Sequence, residues 1–314
     1  MYISYDNTGK AYITSADLLH QITMKSDPRC GPCLLNRVLY EAELSTDDRE
    51  KVFKAVQGGI EYLKENFRPG TNAISISTGI HRKAYGILGN EDPYKEKKAQ
   101  SNEIASAMMP TVRKYIEDAK PEERFRLAML ASIIGNTFDF GVQGHNVEVE
   151  NFNAFFDELF RQGIDVDDTD RILSLAKGGD VVYLCDNCGE IYFDELVLEE
   201  LNKAGAKVTL VVRGGYILTD VTMEDVERMD LGKKVDRVLT TGSNAIGVCI
   251  EEAPQELIKA MNEASVIISK GMANYEALSE ESFRPIAYVL RAKCEPVANS
   301  LGVKKGMSVA KLLL

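Results

Sequence analysis

Apolar residues recur every three to four positions through most of the first 175 residues of the chain. This spacing places apolar side chains on one face of an amphipathic helix. The polar cluster at 45–48 is suited to begin a helix, and Pro69-Gly70 is suited to end one. We therefore predict a mainly helical first part, with helices over residues 16–26, 34–45, 46–67, 101–119, 122–140 and 151–163.

The pattern changes near residue 176, where short β-branched runs begin to alternate with helical segments. Continuous apolar strands joined through helices are typical of βαβ units and a buried parallel sheet. We therefore predict an α/β protein, in which a mainly helical domain (1–176) precedes a Rossmann-like α/β/α domain (177–314) with a mainly parallel sheet. The predicted strands are 181–185, 207–213, 237–241, 265–269 and 286–290.

Oxygen-bearing residues follow the first two predicted strands. Asp186 and Asn187 come directly after the first strand, and Asp220 lies in the loop after the second. Open parallel sheets bind ligands at the carboxyl ends of their strands, so these side chains are expected to meet. Hard oxygen ligands suit Mg²⁺, Mn²⁺ or a similar divalent ion. We predict Asp186, Asn187 and Asp220 as metal ligands and, together with Lys270, as catalytic residues.

The loops after the third and fourth strands carry groups suited to a phosphate. Ser243 and the amides around Gly242 can form an anion-binding nest. Lys270 supplies a point charge, and Gly271 lets a ligand approach the backbone closely. Phosphoryl transfer depends on positioning and charge neutralisation, which metal, lysine and amides provide. Asp186 taken alone could simply cap the following helix. The joint occurrence of all these residues at successive strand ends is what favours a metal and phosphate site.

Several segments, in order, resemble the damage-control phosphatases, first catalogued as domain of unknown function 89. They are DNCGEIYFDELVLEEL, RGGYILTDVT, TTGSN, SKGMANYEAL and AKCEPVANSLGV, while CGPCLLNR and IIGNTFDFG resemble the archaeal and bacterial-type subfamily with a paired-cysteine motif. The resemblance runs from Asp27 onward. It implies a helical part packed on a Rossmann-like domain, and metal-dependent hydrolysis of small phosphometabolites such as sugar phosphates, with Mn²⁺, Mg²⁺, Co²⁺ or Ni²⁺.

The resemblance also implies roles for single residues, including the three metal ligands and the lysine named above. The helical GN-x-x-D motif maps onto Asn136 and Asp139, which would reach the cleft as substrate-binding residues, and Asn274 becomes a candidate phosphate or sugar contact. Two positions depart from the family pattern. Thr219 stands where asparagine is usual, and Cys188 stands where a small residue is common, which leaves the substrate preference open.

Asp186 has two chemical roles open to it. It can bind the metal, or it can act as a nucleophile that forms an aspartyl-phosphate. The haloacid-dehalogenase pattern has a second aspartate two residues after the nucleophile, and Cys188 occupies that position here. We therefore favour Asp186 as a metal ligand, with water attacking the phosphorus atom.

The six cysteines include two C-x-x-C pairs. Cys185 ends an apolar strand, so its pair with Cys188 is interpreted as structural. The Gly-Pro interior of Cys30 and Cys33 matches redox pairs that open a helix, where the thiol pKa is lowered. Cys294 could join these two in space as a third thiol. Structural thiols, a metal clip and a redox switch remain open as functions of this possible thiol site.

Composition and charge limit the kinds of partner that the protein is expected to bind. The chain has 37 Lys and Arg against 48 Asp and Glu, a formal net charge of −11, which disfavours a nucleic-acid partner. No apolar stretch reaches the ~20 residues of a membrane span, and the start does not read as a signal peptide. We therefore expect a cytoplasmic protein with reduced thiols, no membrane association and a small phosphorylated metabolite as partner. The sequence does not indicate an oligomeric state.

Two other functions compete with a phosphatase. An S-adenosylmethionine-dependent carboxyl methyltransferase would suit an α/β sheet, but it needs a glycine-rich turn after the first strand, and the segment DNCGE has one glycine. A non-catalytic metal or redox sensor would use the cysteines. The sensor predicts no hydrolysis of p-nitrophenyl phosphate with any divalent ion.

Overall fold

Helices form the first part of the molecule. The computed structural model describes residues 4–5, 11–12, 24–136 and 149–314. A short antiparallel pair, β1 and β2, precedes six helices. Their bounds are β1 Ser4–Tyr5, β2 Ala11–Tyr12, α1 Cys30–Ser45, α2 Arg49–Asn66, α3 Ala73–Leu88, α4 Lys95–Glu117, α5 Pro121–Gly135 and α6 Val149–Gln162.

Strands and helices alternate through the rest of the chain, and all five predicted strands are present. The elements are β3 Val166–Asp167, α7 Thr169–Ala176, β4 Asp180–Leu184, α8 Glu190–Lys203, β5 Lys207–Val212, α9 Met223–Arg228, a 3₁₀ turn Leu231–Lys233, β6 Arg237–Thr240, α10 Gln255–Glu263, β7 Val266–Lys270, α11 Gly271–Leu278, β8 Ile286–Arg291, α12 Glu295–Leu301 and β9 Ser308–Leu313.

Polar capping side chains begin two helices of the first part, α2 and α3. Asp48, within the predicted cap cluster, accepts a hydrogen bond from the Glu50 amide at 2.9 Å and so caps α2. Asn72 caps α3 in the same way, through the amides of Ile74 and Ser75. Helix α3 is absent from the helices that the apolar spacing predicts, although its capping residue is a typical start signal.

Seven strands form one sheet in the order β3-β9-β8-β7-β4-β5-β6, and every pair is parallel except β8 with β9. Leu184 of β4 lies opposite Val211 of β5 and Ser269 of β7. The carboxyl ends of these three neighbouring strands are therefore level. This register brings the residues that follow them to one place at the edge of the sheet.

Helices cover both faces of the sheet. Side chains alternate along β4, so Val181 and Tyr183 join one hydrophobic core with α4, α5 and α8, while Val182 and Leu184 join a second with α1, α2 and α3. The predicted α/β class with a mainly parallel sheet is confirmed. The domain boundary at 176–177 stays a prediction, and both cores combine residues from either side of it.

Candidate active site

A cavity of about 330 Å³ lies at the carboxyl ends of the strands. Asp186, Asn187 and Asp220, the three predicted metal ligands, line it together. Other parts of its wall come from α1, α3, α11 and the loop after β8. The structure thus places side chains from two separate loops around one cavity.

The two ligand-bearing loops are paired through their backbones. Asn187 and Asp220 form an isolated antiparallel bridge, and the Cys188 amide donates to the Thr219 carbonyl at 2.8 Å. The Thr219 hydroxyl also donates to Oδ1 of Asn187 at 2.7 Å. This pairing fixes the two loops relative to each other, so Thr219 orients a predicted ligand without being one.

The Asp186 carboxylate is held from three sides. Its Oδ2 accepts hydrogen bonds from Nδ2 of Asn136 at 2.8 Å and from Nδ2 of Asn187 at 2.6 Å. The backbone of Gly271 packs against it so closely that a Cβ there would overlap the carboxylate. Asn136 directly follows α5, so this contact ties the helical part of the chain to Asp186. Asn136 is buried and does not line the cavity, and its predicted role in binding substrate stays a prediction. Asp139, the second residue of the GN-x-x-D motif, lies outside the described residues.

Arg213 sits between the two predicted carboxylate ligands. Its side chain is buried, and its Nε donates to Oδ2 of Asp220 at 2.5 Å. Its second terminal nitrogen lies 3.7 Å from Oδ1 of Asp186, and the first donates to Oδ1 of Asn274 at 3.1 Å. Asn274 in turn donates to the backbone carbonyls of Cys185 and Lys270. Asn274 therefore supports Arg213 and is not among the residues that line the cavity.

Lys270 lies behind the cavity wall rather than on it. Its ammonium group is buried and donates hydrogen bonds to Ser132 and Glu190. It also donates to Oδ1 of Asp194 at 2.9 Å. Burial by itself would lower the pKa of Lys270, but the charges of Asp194 and Glu190 outweigh it and the pKa is raised. The lysine is thus a fixed cation. Its predicted direct contact with a phosphate stays a prediction, since its donors point at these partners.

The donor set fits a hard divalent cation. Asp186, Asn187 and Asp220 bring two carboxylates and one amide group to the same cavity, and this donor set suits divalent ions that retain some water ligands. Burial, followed by the charges of Asp220 and Glu190, raises the pKa of Asp186 well above its usual range. A cation among these groups would offset that repulsion. Among the described residues, no group of three or more His, Cys, Asp and Glu side chains could hold a metal, so the amide of Asn187 is needed.

The three cysteines of the possible thiol site, Cys30, Cys33 and Cys294, line the same cavity as free thiols. Burial raises the pKa of Cys30, and it raises the pKa of Cys294 to about 11. Raised values favour the neutral thiol, whereas metal binding and disulfide exchange need the thiolate. The function of this thiol site stays open.

The loop predicted to cradle a phosphate lies elsewhere. Neither Gly242 nor Ser243 is among the residues that line the cavity. The Ser243 hydroxyl accepts from the Ala245 amide at 3.2 Å, and Arg82 approaches it at 3.5 Å while pairing with Glu252. These contacts stabilise the loop after β6. A role for Gly242 and Ser243 in binding phosphate stays a prediction.

Two functional candidates were not predicted. Arg213 directly follows β5, and Lys293 follows β8 and lines the cavity. The positive charge of Lys293 also acts to lower the pKa of Asp186, against the larger effect of burial. Both positions obey the rule that ligand-binding residues follow parallel strands. That rule could have found them, but it does not reveal which side chain turns toward the cavity.

The fold is a mainly parallel α/β sheet with acidic and amide side chains at the carboxyl ends of its strands. The chain belongs to the family of the damage-control phosphatase ARMT1-like domain, whose model matches residues 26–309. The family that the sequence motifs suggested is therefore confirmed. Its subfamily with paired cysteines stays a prediction.

Relatives extend over nearly the whole chain. It is 45% identical over 290 residues to a damage-control phosphatase of Archaeoglobus fulgidus, covering 92% of this chain and 100% of the relative. It is 32% identical over 290 residues to the damage-control phosphatase PH1575 of Pyrococcus horikoshii, covering 91% of this chain and 97% of the relative. A crystal structure of a DUF89 family protein from Pyrococcus horikoshii superposes with a TM-score of 0.84 at 30% identity. The match covers 92% of this chain and 99% of that structure. The prediction of a phosphatase is confirmed, and the methyltransferase and sensor alternatives are not favoured.

Proposed function

We propose that this phosphatase hydrolyses small phosphometabolites, such as sugar phosphates, with a divalent cation held by Asp186, Asn187 and Asp220. The observation that carries the proposal is the meeting of these three oxygen-bearing side chains on one cavity wall. The names of the two curated relatives support the same reaction class. The candidate ions are Mn²⁺, Mg²⁺, Co²⁺ and Ni²⁺, because hard oxygen donors suit them.

A divalent cation at these residues supplies charge neutralisation for the phosphate group of the substrate. The chain supplies the positioning. Asn136 holds Asp186 through its amide donor, and Arg213 holds Asp220 through a buried ion pair. Lys293 adds a positive charge to the cavity wall, where it can bind phosphate oxygens. Each of these groups is in place before the substrate arrives, which reduces reorganisation during the reaction.

Asp186 is proposed as a ligand and not as a nucleophile. Its Oδ2 already accepts two amide hydrogen bonds, and its Oδ1 faces Arg213. Cys188 also stands where the haloacid-dehalogenase pattern has its second aspartate, so water is the proposed nucleophile. Phosphate trapped covalently on Asp186 during turnover would overturn this part of the proposal.

Substitution of Asp186 tests the proposed site. Asp186→Asn should lower hydrolysis of p-nitrophenyl phosphate and of sugar phosphates by about 100-fold or more, because a charged ligand is lost. Activity should be measured with each of the four ions and again after dialysis against EDTA, which should abolish it. Asp47→Asn, a change of the same kind at an exposed position, is the matched control and should keep full activity. Undiminished hydrolysis by Asp186→Asn would contradict the proposal.

The proposal includes a cytoplasmic location. It includes no nucleic-acid partner, because the acidic net charge of −11 disfavours binding to a phosphate backbone. Within the described ranges, no helix is both long enough and apolar enough to cross a membrane.

A further inference from the structure

Helix α3 presents a row of polar side chains to the loops that follow β5 and β6. Thr78, Arg82 and Tyr85 are spaced four and three residues apart, so they share one face of the helix. Each of them contacts a different position in these loops. Thr78 Oγ1 accepts from the Ile246 amide at 3.1 Å, and Arg82 Nε donates to Asn244 Oδ1 at 2.9 Å. Tyr85 Oη accepts from the Leu218 amide at 3.1 Å.

The third contact reaches a strained point in the loop that carries Asp220. Leu218 has a φ of 47°, in the left-handed region that residues other than glycine seldom adopt. The Asp220 amide donates to the Ile217 carbonyl at 3.1 Å, so Leu218 lies inside a tight turn. Such a conformation persists only where the surroundings hold it. Thr219 and Asp220, the residues that orient and form the metal site, come directly after it.

Tyr85 is itself firmly held. It is 6% exposed, and its ring packs 6.4 Å from the ring of His81, centroid to centroid. His81 is paired with Glu41 of α1 at 2.7 Å in a fully buried contact, which ties α3 to α1. The tyrosine hydroxyl is therefore a fixed acceptor that cannot follow the loop if the loop moves.

We propose that Tyr85 is a positioning residue of the metal site. By accepting the Leu218 amide, it holds the turn in the conformation that presents Asp220 to the cavity and Thr219 to Asn187. This inference rests on the proposed function, because it assigns Tyr85 a role toward the cation. It makes the helical part of the chain a determinant of metal affinity, although α3 contributes no ligand.

Tyr85→Phe tests the inference, since it removes the acceptor and keeps the ring. The half-buried Leu218 amide would then be left without its partner. Titration of the metal-free protein with Mn²⁺ in a calorimeter should show a Kd raised by about tenfold, the typical size of one lost hydrogen bond. At saturating Mn²⁺, kcat should return to within about twofold of the wild-type value, because the ligands themselves are intact.

Tyr288→Phe is the matched control. Tyr288 is equally buried, and within the described ranges its hydroxyl makes no hydrogen bond. Its Mn²⁺ affinity should equal that of the wild type. A Tyr85→Phe variant that binds Mn²⁺ as tightly as the control would overturn the inference.

Hydrogen exchange in the unaltered protein gives a second test that does not depend on a variant folding. The Leu218 amide should be protected from exchange in the metal-free protein, because Tyr85 accepts its hydrogen bond. Exchange as fast as that of an exposed loop would overturn the inference. Failure of the proposed function looks different: the wild type itself would then neither bind Mn²⁺ nor hydrolyse phosphate esters.

Discussion

Glu276 shows how the cavity affects a single residue. It lines the cavity from α11, and burial raises its pKa to about 7, although the nearby Arg37 acts to lower it. Its ordinary value is 4.5, so between these two pH values the folded protein binds a proton that the unfolded chain releases. The resulting stabilisation is complete below pH 4.5 and is lost as the pH rises through 7.

Glu276→Gln should therefore flatten the pH dependence of stability. Urea unfolding at a series of pH values should show that the fall in unfolding free energy between about pH 4.5 and 7 is smaller in the variant than in the wild type. Glu263→Gln, the same change at an exposed position on α10, should keep the wild-type slope. An identical slope for Glu276→Gln and the wild type would show that this carboxyl titrates normally.

Single residues differ in how far the sequence could place them. Asp186, Asn187 and Asp220 could be predicted together because the rule about strand ends concerns the backbone, and all three follow neighbouring strands. The direction of a long side chain depends on packing, which the sequence does not display. Lys270 turns toward Glu190 and Asp194, whereas Lys293 faces the cavity, and nothing in their neighbouring sequence distinguishes them.

At the scale of elements, the start of α11 shapes the site. Gly271 has a φ of 75°, and a Cβ there would overlap the Asp186 carboxylate. Gly302, which ends α12, has a similar φ of 72° with nothing within 4 Å of a Cβ. The two glycines thus share the backbone conformation and differ in their surroundings.

Gly271→Ala and Gly302→Ala form a matched pair. Both should lose about 1 kcal/mol of stability from left-handed strain. Only Gly271→Ala should also displace Asp186, and its phosphatase activity should fall by more than about tenfold. Thermal melting and hydrolysis of p-nitrophenyl phosphate would measure the two effects. Equal activity in the two variants would mean that the overlap is relieved without moving Asp186.

The strands were easier to predict than the helices that contact the site. Buried parallel strands are continuous apolar runs, so all five were recognised. Helix α3 begins with Ala-Ile-Ser-Ile-Ser, which alternates with the period of a strand and hides the helical spacing. Strand β9 is not among the predicted strands, and its antiparallel pairing with β8 is a tertiary feature with no local signal. The missed α3 is also the element that carries Tyr85.

At the scale of the whole molecule, a buried ionic cluster joins the helices to the sheet. Lys270 of β7 meets Ser132 of α5 and both Glu190 and Asp194 of α8, and Asp194 also accepts from Tyr183 of β4 at 2.7 Å. Removing one partner from such a cluster leaves uncompensated buried charge. The cluster therefore links the stability of the fold to the position of Glu190, which contacts Asn187, one of the proposed metal ligands.

Lys270→Met should lower the free energy of unfolding by about 3–5 kcal/mol, measured by denaturant titration. Lys293→Met offers the contrast, because Lys293 lies on the cavity wall. It should lower kcat/KM for phosphate esters while changing stability by less than about 1 kcal/mol. Wild-type stability in Lys270→Met would show that the cluster does not support the fold.

The place of β9 in the sheet has a consequence for synthesis on the ribosome. β9 lies between β3 and β8, and its register pairs Val166 with Val309, while Ser308 bonds Asp165 across 143 residues of sequence. While the intervening chain is being translated, β3 has no strand to pair with, and one edge of β8 remains open. Open edges of this kind recruit other chains, so the nascent polypeptide is most prone to aggregate before β9 emerges. Chaperones that shield strand edges should therefore act on this protein before β9 has been synthesised.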